Sequence, residues 1–158
     1  MLIKSVSDKD LAILEHIAFD ILEPLYGDQS KSLYEWVSGE GFKYAFLSKS
    51  GEGEYQGFIS LKINPLKDYV KISTFFVLPN FRGNGIGKRL LEFVFKYVVD
   101  LGKYKYLKVT ISEDNPESLA FFQKNNFVLT DKIDGKYKHN KTEFILYKEI
   151  INEKDIRY

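Results

Sequence analysis

The chain has 158 residues, of which 44% are apolar and 28% charged, and a formal net charge of +1. That length suits one ordinary domain with a full core and no staples. The lack of cysteine excludes disulfides, thiolate metal sites and a cysteine nucleophile, and the near-zero charge argues against a dedicated nucleic-acid binder working through a strong positive field.

In chain order, "LIKSV" (2–6) alternates as a short strand. Asp8 or Asp10 can cap a helix that carries Leu11, Leu14, Ala18, Ile21 and Leu22 on one face, with Pro24 and Gly27 ending it. A second helix spans about 30–38, with Leu33, Tyr34 and Val37 inward. "FKYAFLS" (42–48), "YQGFISLKI" (55–63) and "YVKISTFFV" (69–77) read as antiparallel strands joined by short turns. A glycine cluster then opens a helix to about Leu101, apolar on most sides. "YLKVTI" (106–111) is a strand and "NPESLAFFQKNN" (115–126) a helix. "FVLTDKI" (127–133) and "TEFILYKEI" (142–150) form a final strand pair around a basic loop. The order β-α-α-β-β-β-α-β-α-β-β implies a single α/β domain over 1–150 on one mixed sheet, with 151–158 a loose tail.

Charge is uneven along this order. Residues 1–40 carry a net −5, from Lys4, Lys9 and Lys31 against eight acidic residues, so the remainder is +6. This reads as solvated helix faces or as an acidic rim that attracts a cationic substrate. His16 and His139 are far apart and make no metal-ligand spacing, so no metal is expected. No apolar run approaches the ~20 residues of a membrane span. "MLIKSVSDKD" lacks a secretory apolar core, which points to a cytoplasmic protein and makes the Asn140-Lys141-Thr142 sequon accidental.

The stretch "VLPNFRGNGIGKRLLEFVF" (77–95) concentrates Gly83, Gly85 and Gly87 at the join of a strand and a helix. A P-loop would need glycine at Arg82 and a hydroxyl at Arg89. A dinucleotide fingerprint fails in both registers, at Lys88 or at Leu90. The pattern Arg/Gln-x-x-Gly-x-Gly/Ala matches fully over Arg82-Gly83-Asn84-Gly85-Ile86-Gly87. Its physics is that of an anion site: backbone N–H groups at a helix N-terminus, little side-chain bulk, and Lys88 and Arg89 close by.

Here the chain resembles the GNAT superfamily of acyl-CoA N-acyltransferases, most strongly from about Tyr69 to Phe127. "FFVLPNFRGNGIGKRLL" looks like the family's acetyl-CoA motif, and "VTISEDNPESLAFFQKNNF" like the strand and helix that follow it. The resemblance implies a GNAT-like fold, with a mixed, mostly antiparallel central sheet flanked by helices. It implies that Arg82, Gly83, Asn84, Gly85, Ile86, Gly87 and Lys88 hold the pyrophosphate of acetyl-CoA. The main chain of Phe76 and Val77 would pair with the pantetheine arm, with Val77 N–H facing the thioester oxyanion. Asn115 and Ser118, with Phe122, would lie near the pantetheine end. Independently of any ligand, Asn115 before Pro116 is a helix N-cap.

The implied reaction is direct transfer of an acetyl group from a thioester to an amine. The amine must first lose a proton, since an alkylammonium has a pKa of about 10.4. No motif identifies the base; Glu113 and Asp114 are candidates, and Thr110 and Ser112 weaker ones. The family's tyrosine acid falls at Phe122 and its glycine at Asn126. Phe122 donates no proton, and loss of a general acid slows such a reaction by about 10²–10⁴-fold without forbidding it. Two other readings stand beside the acetyltransferase: a CoA-binding sensor or scaffold with little turnover, and a nucleotide-binding regulator. Helices 8–38 and the last strand pair, including the basic loop "KIDGKYKHNK" (132–141), would choose the acceptor, expected to be a small or peptidic amine. The excess of Phe and Tyr serves either a homodimer interface or a core.

Overall fold

The computed structural model describes residues 2–135 and 141–151. Seven strands are formed: β1 (Leu2–Ser5), β2 (Lys43–Lys49), β3 (Tyr55–Lys62), β4 (Tyr69–Val77), β5 (Tyr106–Ser112), β6 (Val128–Ile133) and β7 (Glu143–Glu149). Their order is β1-β2-β3-β4-β5-β7-β6. β4 and β5 are parallel, while β1–β2, β2–β3, β5–β7 and β6–β7 are antiparallel. This is the expected mixed, mostly antiparallel sheet. Parallel neighbours need a long crossover, and helix α4 (Ile86–Leu101) provides it between β4 and β5.

The chain divides into two compact units, Met1–Ile63 with Thr74–Leu90, and Asn64–Ser73 with Leu91–Tyr158. In the first, a helical segment follows β1: a 3₁₀ turn (Asp8–Asp10), α1 (Leu11–Glu15), a π-helical stretch (His16–Leu22) and α2 (Glu23–Tyr26). Its cap is Ser7, not Asp8. Ser7 Oγ accepts from Lys9 N–H, and Asp10 reaches back to Ser7 N–H at 3.0 Å. Pro24 does not end the segment, because it sits in the first turn of α2, where its missing N–H is harmless. Gly27 ends it, at φ 84.

Leu14, Ile17, Ala18 and Leu22 form the buried stripe with Trp36, Ala45, Leu47 and Phe58. Leu11, expected inside, is 44% exposed. In α3 (Ser30–Ser38) the inward aromatic is Trp36, whose ring meets Phe58 edge-on at 4.9 Å, while Tyr34 faces water. Leu33 and Val37 pack on the cluster as expected.

In the second unit the start of β4 pairs with β5 from Tyr69↔Tyr106 to Ile72↔Val109. β5 alternates cleanly, with Leu107, Val109 and Ile111 buried. Helix α5 (Pro116–Lys124) buries Phe122, whose ring stands edge-on to Phe127 at 5.1 Å. Between them Asn126 adopts φ 70, a left-handed position that glycine fills most easily and asparagine tolerates. Of the basic loop, Lys136, Tyr137, Lys138 and His139 lie outside the described residues, as do Asn140 of the sequon and 152–158 of the tail.

Candidate functional site

The candidate site begins where β4 runs out. Leu78 N–H is bound by the Gln56 carbonyl at 2.9 Å, and a short 3₁₀ turn (Pro79–Phe81) carries the chain away from the sheet. Gly57 lies beside this point in β3. A Cβ there would stand 3.1 Å from the Phe76 carbonyl oxygen and 2.9 Å from Leu90 Cδ1. The end of β4 is therefore held at close range by a glycine outside the motif.

The loop then turns back into α4. Gly83 and Gly85 sit at φ 84 and 75, and a Cβ on either would meet nothing within 4 Å. Glycine is needed here for backbone conformation, and the space in front of the loop is open. Ile86 is buried and anchors the first turn of the helix, whereas Arg82, Gly83, Asn84, Gly85 and Lys88 are exposed. Arg89 N–H bonds the Gly85 carbonyl at 3.1 Å; the amides of Ile86 and Gly87 come before this first turn closes, where helix geometry offers no carbonyl. Asn84 Nδ2 donates to the Phe81 carbonyl at 3.4 Å and Arg82 Nε to the Val77 carbonyl at 3.0 Å. Thus Phe76, Val77 and the whole run from Arg82 to Lys88 belong to one unit, as a glycine-lined, open, N-terminal helix cradle.

The other expected residues lie in the second unit. Asn115 Oδ1 accepts from Ser118 N–H at 3.2 Å, so the cap is formed and Pro116 opens the helix. Phe122 is 3% exposed, a core side chain. Asp114 pairs with Lys141, and this contact holds the pKa of the Lys141 ammonium above its ordinary value. Glu113 N–H donates to the Thr142 carbonyl at 2.9 Å, and Ser112 Oγ accepts from Asp114 N–H.

One constellation in the first unit escaped the sequence reading. His16 Nδ1 lies 2.8 Å from Asp20 Oδ2 at the start of the π-helical stretch. The His16 ring stands edge-on to Tyr55 at 6.2 Å. The Tyr55 hydroxyl is buried without a hydrogen-bond partner among the described residues, a cost of about 1–3 kcal/mol, and burial raises its pKa. The spacing of His16 and Asp20 was a readable signal; Tyr55 came into contact only through the fold.

Among the described residues no group of three His, Asp or Glu side chains is placed to hold a metal ion, and no helix is long and apolar enough to cross a membrane.

The family model "Acetyltransferase (GNAT) family" matches residues 11–127. An L-2,4-diaminobutyric acid acetyltransferase of Vibrio parahaemolyticus is 30% identical over 75% of this chain and 70% of its own. A spermine/spermidine N(1)-acetyltransferase of Bacillus subtilis is 24% identical over 84% of this chain and 90% of its own. In structure, Arabidopsis thaliana NAA60 with a bisubstrate analogue superposes at a TM-score of 0.80, with 19% identity, covering 96% of this chain and 99% of that one. A chimera of the Vibrio cholerae spermidine N-acetyltransferase SpeG gives 0.78 at 12% identity, covering 94% and 96%. At such identities the structural likeness is one of fold.

Proposed function

Since the chain belongs to the GNAT acetyltransferase family, we propose that it moves an acetyl group from acetyl-CoA to a primary amine of a small molecule or peptide by direct transfer. The observation that carries this reading is the open cradle at Gly83 and Gly85, at the N-terminus of α4 and directly after β4. Backbone amides and a helix terminus suit a pyrophosphate, and Arg82 and Lys88 add positive charge. Phe76 and Val77 would offer main-chain groups to the pantetheine arm, and Val77 N–H a bond to the oxyanion. Asn115, Ser118 and Phe122 enter this proposal through likeness to the family alone.

For the acceptor we infer a small cation with a second positive charge. Glu15, Asp20, Glu23 and Asp28 are all exposed on the first helical segment and the turn after it, interleaved with exposed Phe19, Leu25 and Tyr26. Carboxylates attract the ammonium groups and the apolar side chains suit a methylene chain. The diaminobutyrate and polyamine relatives act on amines of this type.

Thermal-shift titration with acetyl-CoA, CoA and nucleotide with magnesium, followed by thiol release across an amine panel, tests both statements. Stabilisation by acetyl-CoA and turnover with diamines or polyamines are expected. Binding without thiol release above the hydrolysis background would make the protein a CoA sensor. Turnover with anionic acceptors only would overturn the acceptor class.

A further inference from the structure

We propose that His16 is the general base that takes the proton of the incoming ammonium, with Asp20 and Tyr55 as the residues that position it. The assignment rests on the acetyltransferase reading above and supplies the base that no sequence motif identified.

Three observations converge on it. The first is the dyad. With Nδ1–H donated to Asp20 Oδ2 at 2.8 Å, the imidazole is fixed in the tautomer that leaves Nε2 as acceptor. The side chain is 49% exposed, so an acceptor can reach it.

The second is placement. The ring that supports His16 belongs to Tyr55, the first residue of β3. The next two residues of β3 meet the end of β4: Gln56 through its carbonyl to Leu78 N–H, and Gly57 through its close approach to the Phe76 carbonyl. Tyr55 and Phe76 also pack against the same core cluster. His16 is therefore tied, through one ring, to the strand end that carries Val77.

The third is the surface around it. His16 opens a π-helical stretch, a departure from regular helix that is frequent at functional sites. Glu15 and Asp20 flank it and Glu23 follows, all exposed, so a cationic acceptor is drawn to the face where the imidazole stands. Among the described residues the buried hydroxyl of Tyr55 has no hydrogen-bond partner, a feature that packing alone does not explain.

The step balances without any further reactant. The ammonium gives one proton to His16 Nε2, and the neutral nitrogen forms the C–N bond with the thioester carbon. The C–S bond breaks and sulfur keeps the electron pair. Nitrogen loses its second proton as the amide forms, so that one proton ends on the CoA thiol and one in solvent.

The test uses the full chain with acetyl-CoA and a diamine that the wild type acetylates. His16→Ala should lower kcat by about 10²-fold, within the usual range for a general base. Affinity for acetyl-CoA should stay unchanged, and added imidazole should restore part of the rate. Asp20→Asn should lower kcat by less than His16→Ala, with affinity for acetyl-CoA unchanged. His16→Ala with kcat within twofold of wild type overturns the assignment. So does a loss of rate that imidazole does not restore and that comes with weaker acetyl-CoA binding, since that marks a structural role. If the wild type binds acetyl-CoA and releases no thiol with any amine, the transferase reading fails and takes this assignment with it. An active wild type matched by His16→Ala removes the assignment alone.

Discussion

Arg82 Nε donates to the carbonyl oxygen of Val77 at 3.0 Å, bridging the turn between the end of β4 and the glycine cradle. The bond points the guanidinium before any ligand arrives, and pre-set side chains lose less entropy on binding. Arg82→Ala should weaken acetyl-CoA binding by about 10-fold or more, the scale of a hydrogen bond to a charged group. Arg82→Lys should fall between the two, because it keeps the charge and loses the fork. As Arg82 is exposed, stability should move by no more than about 0.5 kcal/mol. Isothermal titration and a urea melt of the same variants separate the two effects.

Gly85 and Gly57 are both required, for different reasons. Gly85→Ala places a Cβ in open space on a backbone at φ 75, a strain of about 1–2 kcal/mol that also distorts the glycine cradle. Gly57→Ala drives a Cβ to 2.9 Å from the buried Leu90 side chain and to 3.1 Å from the Phe76 carbonyl. Overpacking of that kind costs about 1–3 kcal/mol. Denaturant melts should rank Gly57→Ala as the more destabilised, while Gly85→Ala loses more acetyl-CoA affinity per unit of stability lost.

Asp10 is 2% exposed and its Oδ1 lies 3.1 Å from both Lys4 Nζ and Lys49 Nζ. Burial alone would raise its pKa; the Ser7 N–H and the two ammonium groups outweigh that and hold it below the usual carboxylate value. A lowered folded pKa means that the unfolded chain binds the proton more readily. The stabilisation is therefore complete above the unfolded pKa of about 3.9 and fades as pH falls through the lower folded value. Asp10→Asn should cost about 2 kcal/mol at pH 7, with the gap to wild type narrowing below about pH 4. A constant gap from pH 7 to pH 3 in urea melts would contradict the pairing.

Asn115 caps α5 through Ser118 N–H. Asn115→Ala should lose about 1 kcal/mol of stability, and Asn115→Asp should lose almost none because aspartate caps equally well at a helix N-terminus. If Asn115 also meets pantetheine, the alanine variant loses acetyl-CoA affinity beyond what its stability explains. Equal affinity in all three proteins leaves the cap as its whole role.

Several elements were legible because their signals are local. Gly83 and Gly85 answer to φ, Asn115 and Pro116 to the orphan amides of one helix turn, and the alternation in β5 to a period of two. Asn126 was legible only as a departure from a glycine; its left-handed φ of 70 came from the structure. The helical segment before α3 was read less well. Its cap is Ser7, with Asp10 reaching back to the Ser7 N–H and also pairing with Lys49, 39 residues away, and its buried stripe includes Ile17 while Leu11 is exposed.

The sequence by itself determined the order of elements, the glycine turn before α4 and the family, since each rests on spacing within a few residues or on one strand-turn-helix motif. Only the tertiary structure decided which aromatic of α3 turns inward, that Asp114 pairs with Lys141, and that the Tyr55 ring stands against His16. Those contacts join residues far apart in the chain. Packing and charge pairing select them after the elements form, and no local propensity records the choice.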